Sequence, residues 1–441
     1  MKRIELNKTK KQPTKNKTSK LYLIIILVFY LTIDALLIDK IIVPSFAKYE
    51  AKQQEIKVEK EQQELLKRAT IIVKLKDNLN VSFYSDVKVS DFIEEINGRI
   101  IDDYKLDTTK LGQRKIKFEY INEENIKIPY AYTINVVDDI PPSIWLGSTY
   151  SITTKYDGKL LEDITCADNL DDNPKCEIIG KYNTQEAGEY KLTFKATDSS
   201  GNVTTKEFTL KVKEPAENSG SSSSTTKKTR TIISDVIKKH KNDNTAIGID
   251  VSSWQGDINF QKVKEAGVEF VFIRVGSTKG INGKYFVDKQ FVDNIKGFND
   301  VGIPVGIYFY SYANSKKSAI ADARWVIEQL KGYKVDLPII YDWESWSFYN
   351  EFHQSFYSTS MNAKAFLDTV EKAGYDGMLY SSANYLKKVW YDIDYPVWLA
   401  HYTTQTNYQG KYTYWQMCSN GKVPGISGNV DINIYYKNKE E

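Results

Sequence analysis

Two carboxylic acids separated by one residue follow a short apolar run near the middle of the carboxy-terminal half of the chain. The run begins at Leu337 and is followed by Asp342, Trp343 and Glu344. Alternate side chains of an extended strand point the same way, so Asp342 and Glu344 are expected on one face and Trp343 on the other. Two carboxyls held close together tend to separate their pKa values, leaving one protonated and one ionised. Such a pair predicts acid-assisted cleavage of a glycosidic bond.

The elements that must position these acids are buried strands alternating with helix-length segments. Amphipathic stretches at 287–300, 316–331 and 358–373 separate the early strands, whereas the late strands lie too close together for full helices. This pattern predicts an irregular β/α barrel, with helices mainly among the first five strands. The expected strands are 246–251, 270–275, 303–310, 337–343, 377–381, 397–401, 412–417 and 431–436.

The carboxyl ends of barrel strands are where active sites form. The first predicted strand reaches Asp250 near its end, which adds a third acid to the expected mouth of the barrel. Aromatic side chains are concentrated at the same ends, and flat rings suit the apolar faces of sugars. The predicted substrate contacts are Tyr308, Tyr310, Trp398, Trp415 and Gln416.

Four motifs in order over about 245–437 resemble glycoside hydrolase family 25, the N-acetylmuramidases. They are DVSSWQG from Asp250, IPVGIYFY ending at Tyr310, LPIIYDWE ending at Glu344, and Val430-Asp431. The resemblance implies an irregular (β/α)5(β)3 barrel that hydrolyses the β-1,4 bond from N-acetylmuramic acid to N-acetylglucosamine. It implies no metal and no cofactor.

The resemblance also implies a role for each acid. Glu344 would be the general acid, and Asp342 would stabilise the oxocarbenium-like centre, either directly or by orienting the acetamido group of the substrate. Asp250 and Asp431 would line the same pocket and tune Glu344. Tyr308, Trp398 and Gln416 would contact the glycan. Retention or inversion of configuration is left open by the spacing.

A repeat with an offset of seventy-six residues occupies the middle of the chain. Gly112 corresponds to Gly188 and Phe118 to Phe194, and each glycine is followed by alternating apolar and polar residues. This pattern predicts two small all-β sandwiches, at 69–137 and 138–213. The second copy resembles bacterial immunoglobulin-like surface domains, which act as spacers or adhesive modules.

Cys166 and Cys176 bracket an acidic loop, Asp168 to Asn173, in the second repeat. Outside the membrane a disulfide between them is expected. The loop could be simply solvated, and a calcium site in it is the alternative. Across the whole chain, three scattered His and three Cys exclude a zinc finger and an all-histidine metal centre.

The amino terminus predicts a membrane anchor. Residues 1–20 contribute +7 to a formal net charge of only +3, and residues 21–38 form an apolar run interrupted by Asp34. The positive-inside rule then predicts a single-pass protein of the cell membrane whose carboxy-terminal domain is extracellular. A cleaved signal peptide is the alternative. A helical stalk is expected at 47–68 and a flexible linker at 214–244.

Because the basic charge lies on a tail and not on a folded domain, no nucleic-acid binding is predicted. The sequence therefore predicts a membrane-tethered peptidoglycan hydrolase whose partners are glycan strands and, through one helix, the membrane. It indicates no particular protein partner. The alternatives are a wall-binding adhesin or spacer without catalysis, and a hydrolase of another amino-sugar polymer.

Overall fold

The computed structural model describes residues 43–215, 230–345 and 349–437, and it divides into two compact units after Val137. The predicted basic tail, the apolar run at 21–38 and residues 216–229 of the predicted linker lie outside the described residues. Within the described ranges, none of the helices has the length and apolar character needed to span a bilayer.

The first unit begins with a long polar helix, α1 (Val43–Arg68), where the stalk is predicted. Its last turn carries Lys67 and Arg68, whose positive charges interact favourably with the negative end of the helix dipole. The strands that follow form a four-stranded sheet in the order β2-β6-β5-β4 and a separate pair, β1-β3. They are β1 (Val73–Leu75), β2 (Asn80–Ser82), β3 (Ile93–Ile96), β4 (Gly98–Ile100), β5 (Gly112–Asn122) and β6 (Lys127–Val137), with a 3-10 turn at Val89–Phe92.

The second unit begins with a domain of the same strand arrangement. A four-stranded sheet has the order β10-β11-β12-β8, and a separate pair is β7-β9. Gly188 pairs with Val212 here, as Gly112 pairs with Val136 in the first unit, so the sequence repeat reflects a repeated hairpin. The elements are β7 (Ser143–Trp145), β8 (Thr149–Thr153), α2 (Leu160–Asp163), β9 (Thr165–Ala167), β10 (Lys175–Ile179), β11 (Gly188–Thr197) and β12 (Val203–Lys213). The predicted disulfide between Cys166 and Cys176 is confirmed.

The remainder of the second unit is a closed barrel. Seven of its eight strands are parallel to their neighbours, and β22 closes the ring by pairing antiparallel with both β14 and β21. The barrel strands are β14 (Thr245–Val251), β15 (Phe270–Thr278), β17 (Val305–Tyr310), β18 (Ile339–Asp342), β19 (Gly377–Ser382), β20 (Val397–Ala400), β21 (Tyr414–Lys422) and β22 (Val430–Tyr436).

Helices follow only the first five barrel strands in the described ranges, which confirms the predicted (β/α)5(β)3 pattern. The later strands are joined without helices because their connections are short. The helices are α4 (Phe260–Glu265), α5 (Phe291–Asp300), α6 (Lys316–Gln329), α7 (Tyr349–Phe352), α8 (Phe356–Lys372) and α9 (Ala383–Lys388).

Several boundaries differ from the sequence-based expectation, and two of the differences have a clear structural reason. A short strand, β16 (Tyr285–Val287), pairs with β15, so the helix expected from 287 begins only at Phe291. The predicted linker is also shorter, because β13 (Thr231–Ile232) pairs with β21 and α3 (Ile233–His240) packs on the barrel. Burial of Ile233 and Val236 explains why this polar segment is ordered.

The second repeat packs against the barrel around Trp145. Its ring stacks on Phe356, with centroids 6.2 Å apart, and lies 5.6 Å from the Tyr385 ring and 6.0 Å from the Tyr349 ring. These partners belong to α7, α8 and α9, on the side of the barrel that follows β18 and β19. Aromatic contacts of this kind fix the orientation of the repeat relative to the barrel.

Candidate active site

The four predicted acids are brought together by the strands that end at one mouth of the barrel. Asp250 and Asp431 are directly opposite each other in the antiparallel pair β14–β22. Asp342 is the last residue of β18, and Glu344 follows it by two residues. The charges of Asp250 and Glu344 both raise the pKa of Asp342, which places all of these carboxyls within one electrostatic cluster.

The predicted alternation after β18 is present. Trp343 is fully buried and packs against Phe352, with ring centroids 4.9 Å apart, and against Tyr349. Asp342 faces inward and is 4% exposed, and its Oδ1 has no hydrogen-bond partner among the described residues. Glu344 is exposed to solvent and lines a cavity. The two acids therefore differ in environment, as a division of roles requires.

Desolvation of the carboxyl groups raises the pKa of each acid in this cluster, and repulsion from neighbouring acids adds to the rise for Asp342, Glu344 and Asp431. For Asp342 burial is the main cause, and the negative charges of Glu344 and Asp250 add to it while Arg274 opposes it. Desolvation also raises the pKa of Glu344, helped by Asp250. Burial and the adjacent Asp250 raise the pKa of Asp431. The cluster consequently holds protons that isolated carboxyls would have lost at neutral pH.

Asp250 is held by two side-chain amides. Gln416 Nε2 and Asn433 Nδ2 both donate to its Oδ2, at 3.0 and 2.8 Å. The indole of Trp398 donates to Asn433 Oδ1, and the hydroxyl of Tyr380 donates to Gln416 Oε1. These donors fix which end of each amide faces Asp250, so the carboxylate is oriented by a second set of hydrogen bonds.

A cavity of about 460 Å³ opens beside Glu344. Its walls come from the last residues of β19 and β20 and from the segments that follow β18, β19 and β20, and they carry polar groups as well as tyrosine rings. A cavity with such walls suits a polar ligand bearing hydroxyl and amide groups. The lining residues are Glu344, Tyr380, Ser382, Ala383, Asn384, Lys387, Ala400, His401, Tyr402 and Asn407.

The predicted substrate contacts occupy different positions. Tyr308 and Tyr310 lie on β17 and are partly exposed, at the level of the acids. Gln416 is 3% exposed and binds Asp250, and Trp398 is 2% exposed beneath the pocket, so both act on the site through other residues.

Trp415 requires a correction. It is 1% exposed and lies on the opposite face of β21 from Gln416, where its indole donates to the His401 carbonyl and its ring meets His240. Neighbouring residues of a strand cannot face the same side. Trp415 therefore packs among the hydrophobic residues outside the barrel and has no exposed surface with which to contact a glycan.

Several residues of the site were not predicted from the sequence. Tyr380 holds Gln416 and Asn433 holds Asp250, and no local pattern marks either residue. Tyr402, one of the aromatic residues that the sequence places at the barrel mouth beside the sixth strand, also donates to Gln416 Oε1. Trp254 is 83% exposed in the loop after β14, at the mouth that carries the acids. An exposed aromatic residue directly after a strand end was a signal in the sequence that could have identified it.

Residues 249–426 match the family model described as glycosyl hydrolases family 25. The carboxy-terminal part of the chain, well under half of its length, is therefore similar to this family. The matched range contains Asp250, Asp342 and Glu344, whereas Asp431 lies five residues beyond it.

Curated relatives match the same part of the chain. The autolytic lysozyme of Clostridium acetobutylicum is 31% identical over 191 residues, which are 43% of this chain and 55% of that protein. Lysozyme M1 of Streptomyces globisporus is 28% identical over 43% of this chain and 67% of that protein. The chain thus spans just over half of the length of the first of these relatives.

A family 25 glycosyl hydrolase from Bacillus anthracis is similar in structure, with 25% identity, a TM-score of 0.39, and coverage of 46% of this chain and 94% of that chain. The modular autolysin LytC of Streptococcus pneumoniae, solved with a synthetic peptidoglycan ligand, has 25% identity and a TM-score of 0.39. It covers 55% of this chain and 56% of that chain.

Proposed function

We propose that the chain is a muramidase that cleaves the β-1,4 bond between N-acetylmuramic acid and N-acetylglucosamine in peptidoglycan. The observation that carries this proposal is the pairing of a buried acid, Asp342, with an acid open to a cavity, Glu344, two residues later. The lysozyme names of the two curated relatives support the choice of substrate.

In the proposed reaction Glu344 donates a proton to the leaving glycosidic oxygen. Desolvation and the nearby Asp250 raise its pKa, so a larger fraction of it carries the proton at neutral pH. Its position at the cavity wall gives it access to a bound glycan. The hydroxyl of Tyr380 lies within hydrogen-bonding reach of Glu344 and partly opposes the rise in its pKa.

Asp342 stabilises the positive charge that develops on the sugar. Its Oδ1 is buried and has no partner among the described residues, so an acetamido N–H of the substrate that displaces the atoms covering it finds a free acceptor there. Burial and the charges of Glu344 and Asp250 raise the pKa of Asp342, but positive charge developing on the sugar favours its ionised form. A carboxylate in a water-poor site then stabilises that charge far more than it would in water.

Asp250, whose ionised form is favoured by hydrogen bonds from Gln416, Asn433 and Asp431, supplies the surrounding negative charge. Asp431 is largely protonated at neutral pH, because burial and the adjacent Asp250 raise its pKa to about 9.

We further propose that residues 21–38 anchor the protein in the cell membrane and that the barrel acts on the wall from outside. The apolar run, the basic tail before it and the disulfide between Cys166 and Cys176 support this arrangement. In this proposal the two β domains, resembling bacterial immunoglobulin-like modules, extend the barrel toward the wall, and cleavage serves local remodelling. Protease added to intact producing cells should release the barrel, and a barrel protected in intact cells but cut after lysis would contradict the orientation.

The substrate bond is tested by digesting purified peptidoglycan with the full chain and reducing the products with borohydride. A muramidase yields products ending in reduced muramic acid, and mass spectrometry identifies that end. Products ending in reduced glucosamine would contradict the proposed bond. Sedimentation of the chain with peptidoglycan without any new reducing ends would favour the adhesin.

A further inference from the structure

Three carboxylates that are distant in sequence meet where the second repeat contacts the barrel. Asp138, Asp168 and Asp198 each offer an oxygen atom, and these atoms all lie within 4.8 Å of one another. Oxygen ligands of calcium lie about 2.3–2.6 Å from the ion, so two ligands on opposite sides of the ion are about 4.6–5.2 Å apart. The separations between these three carboxylate oxygens are within this limit. A single divalent cation therefore fits between the three groups.

One carboxylate oxygen of this cluster is buried without a hydrogen-bond partner among the described residues. Asp168 is 1% exposed, and its Oδ2 has no hydrogen-bond partner among the described residues. Its Oδ1 is occupied, because it accepts from the backbone N–H groups of Leu170 and Asp171 at 2.8 and 2.7 Å. A buried carboxylate oxygen is rarely left without a partner, and here it lies beside two further acids.

The cluster also lacks positive charge. In the described ranges, none of the ion pairs includes Asp138, Asp168 or Asp198, and each of the three is at most 9% exposed. Burial, with the charges of Asp138 and Asp198, raises the pKa of Asp168 to about 6. Crowding like charges in a dry site costs folding free energy, and a bound cation removes that cost.

A fourth oxygen is available beside the acids. Asn169 is 5% exposed, its Nδ2 donates to Asp138 Oδ1 at 3.1 Å, and its Oδ1 has no hydrogen-bond partner among the described residues. Rotation of the amide about its last torsion exchanges the two atoms and turns Oδ1 toward the acids. Three carboxylates, one amide oxygen and water supply the six to eight oxygen ligands that calcium takes.

The loop that carries these residues is attached to the barrel. The carbonyls of Asp168 and Asn169 accept from the backbone N–H groups of Phe356 and Tyr357, at 2.9 and 3.0 Å. These are the first residues of α8, whose first N–H groups have no partner within the helix. The loop of the second repeat therefore caps α8, which packs on β18 through the rings of Phe366 and Tyr341, one residue before Asp342.

We propose that Asp138, Asp168 and Asp198 form a binding site for a calcium-class divalent cation, which orders the loop that caps α8. This site is independent of the proposed hydrolysis. It ties the strand junction at Asp138, the disulfide-bracketed loop and the turn at Asp198 into one unit that faces the barrel.

The test uses the full chain, freed of metal with a chelator, and calcium chloride as the probe in isothermal titration calorimetry. The wild type should bind one calcium ion per chain. Asp198→Asn should weaken binding at least about tenfold, since a charged ligand is lost. Asp157→Asn, at an exposed acid of the same repeat, should bind as the wild type does. Failure of the wild type to bind calcium at millimolar concentration, or equal binding by Asp198→Asn, would overturn the site.

Hydrogen exchange measures the coupling to the barrel. Calcium should slow amide exchange at Phe356 and Tyr357 as well as in residues 165–173 of the wild type, and should slow neither in Asp198→Asn. Calcium binding with unchanged exchange at Phe356 and Tyr357 would overturn the proposed ordering of the cap. Because binding by the wild type is measured directly, the site is tested even if a variant folds poorly.

Discussion

Asp250 on β14 and Asp431 on β22 are direct cross-strand partners in the antiparallel pair that closes the barrel. Because β22 runs antiparallel to β14, the amino-terminal end of β22 lies at the same mouth of the barrel as the carboxyl ends of the parallel strands. Asp431, near that end, therefore lies beside the other acids. Their proximity raises the pKa of Asp431, and Asp250 in turn raises the pKa of Glu344. The closing strand β22 therefore contributes a carboxyl group to the electrostatics of the site.

Replacement of Asp342 should lower catalytic activity without lowering the stability of the folded protein. Asp342→Asn removes the carboxylate assigned to the developing cation, and we expect kcat to fall by about 10²–10³-fold. The folded protein should not be destabilised, because the substitution removes a buried acid repelled by Glu344 and Asp250. Steady-state kinetics and thermal melts measure the two effects, and a variant with wild-type kcat would contradict the assigned role.

The same variant should alter how stability depends on pH. A carboxyl whose pKa is raised in the folded state contributes stability that is complete below its unfolded pKa of about 4 and is lost as pH rises through the folded value. The stability of Asp342→Asn relative to the wild type should therefore increase from pH 4 to pH 8 in thermal melts. A constant difference across this range would show that the pKa of Asp342 is not raised.

Removal of the charge at position 250 should shift the pH profile of hydrolysis. Asp250 raises the pKa of Glu344, so Asp250→Asn should lower that pKa and move the alkaline limb of kcat/KM to lower pH. The amide oxygen of the new side chain can still accept from Gln416 and Asn433, which preserves the local hydrogen bonds. Asp300→Asn, at an exposed acid that ends α5, is the matched control and should leave the limb in place. An unshifted limb in Asp250→Asn would mean that another group sets it.

Trp254 should contribute to glycan affinity without contributing to stability. It is 83% exposed, so Trp254→Ala removes little buried area and should leave the melting temperature unchanged. Loss of ring contact with a sugar should raise KM by about tenfold, and Trp254→Phe should retain most of the affinity because a flat ring remains. An unchanged KM in the alanine variant would place the glycan elsewhere.

Local patterns were sufficient to predict the barrel and its main pair of acids. The period of two that places Asp342 and Glu344 on one side needs only the strand that precedes them, and the succession of strands and helices is itself visible along the chain. Asp431 came from the family resemblance, because spacing does not indicate that the last strand runs antiparallel to the first.

Contacts between distant segments could not be predicted in the same way. Trp415 and its neighbour Gln416 were both expected at the pocket, although one strand can present only one of them there. The sequence showed the acids of the loop from Asp168 to Asn173, but Asp138 and Asp198 lie about thirty residues to either side. Only the packing of the second repeat brings these three acids together.

The central claim is that Glu344 acts as the general acid. The most direct measurement is the rate at which full-length Glu344→Gln releases reducing ends from purified peptidoglycan, beside the wild type and Glu351→Gln, which alters an exposed acid of α7. We predict that Glu344→Gln loses activity by about 10²–10⁴-fold with an unchanged melting curve, while Glu351→Gln remains fully active. Release of reducing ends by Glu344→Gln at the wild-type rate would contradict the account.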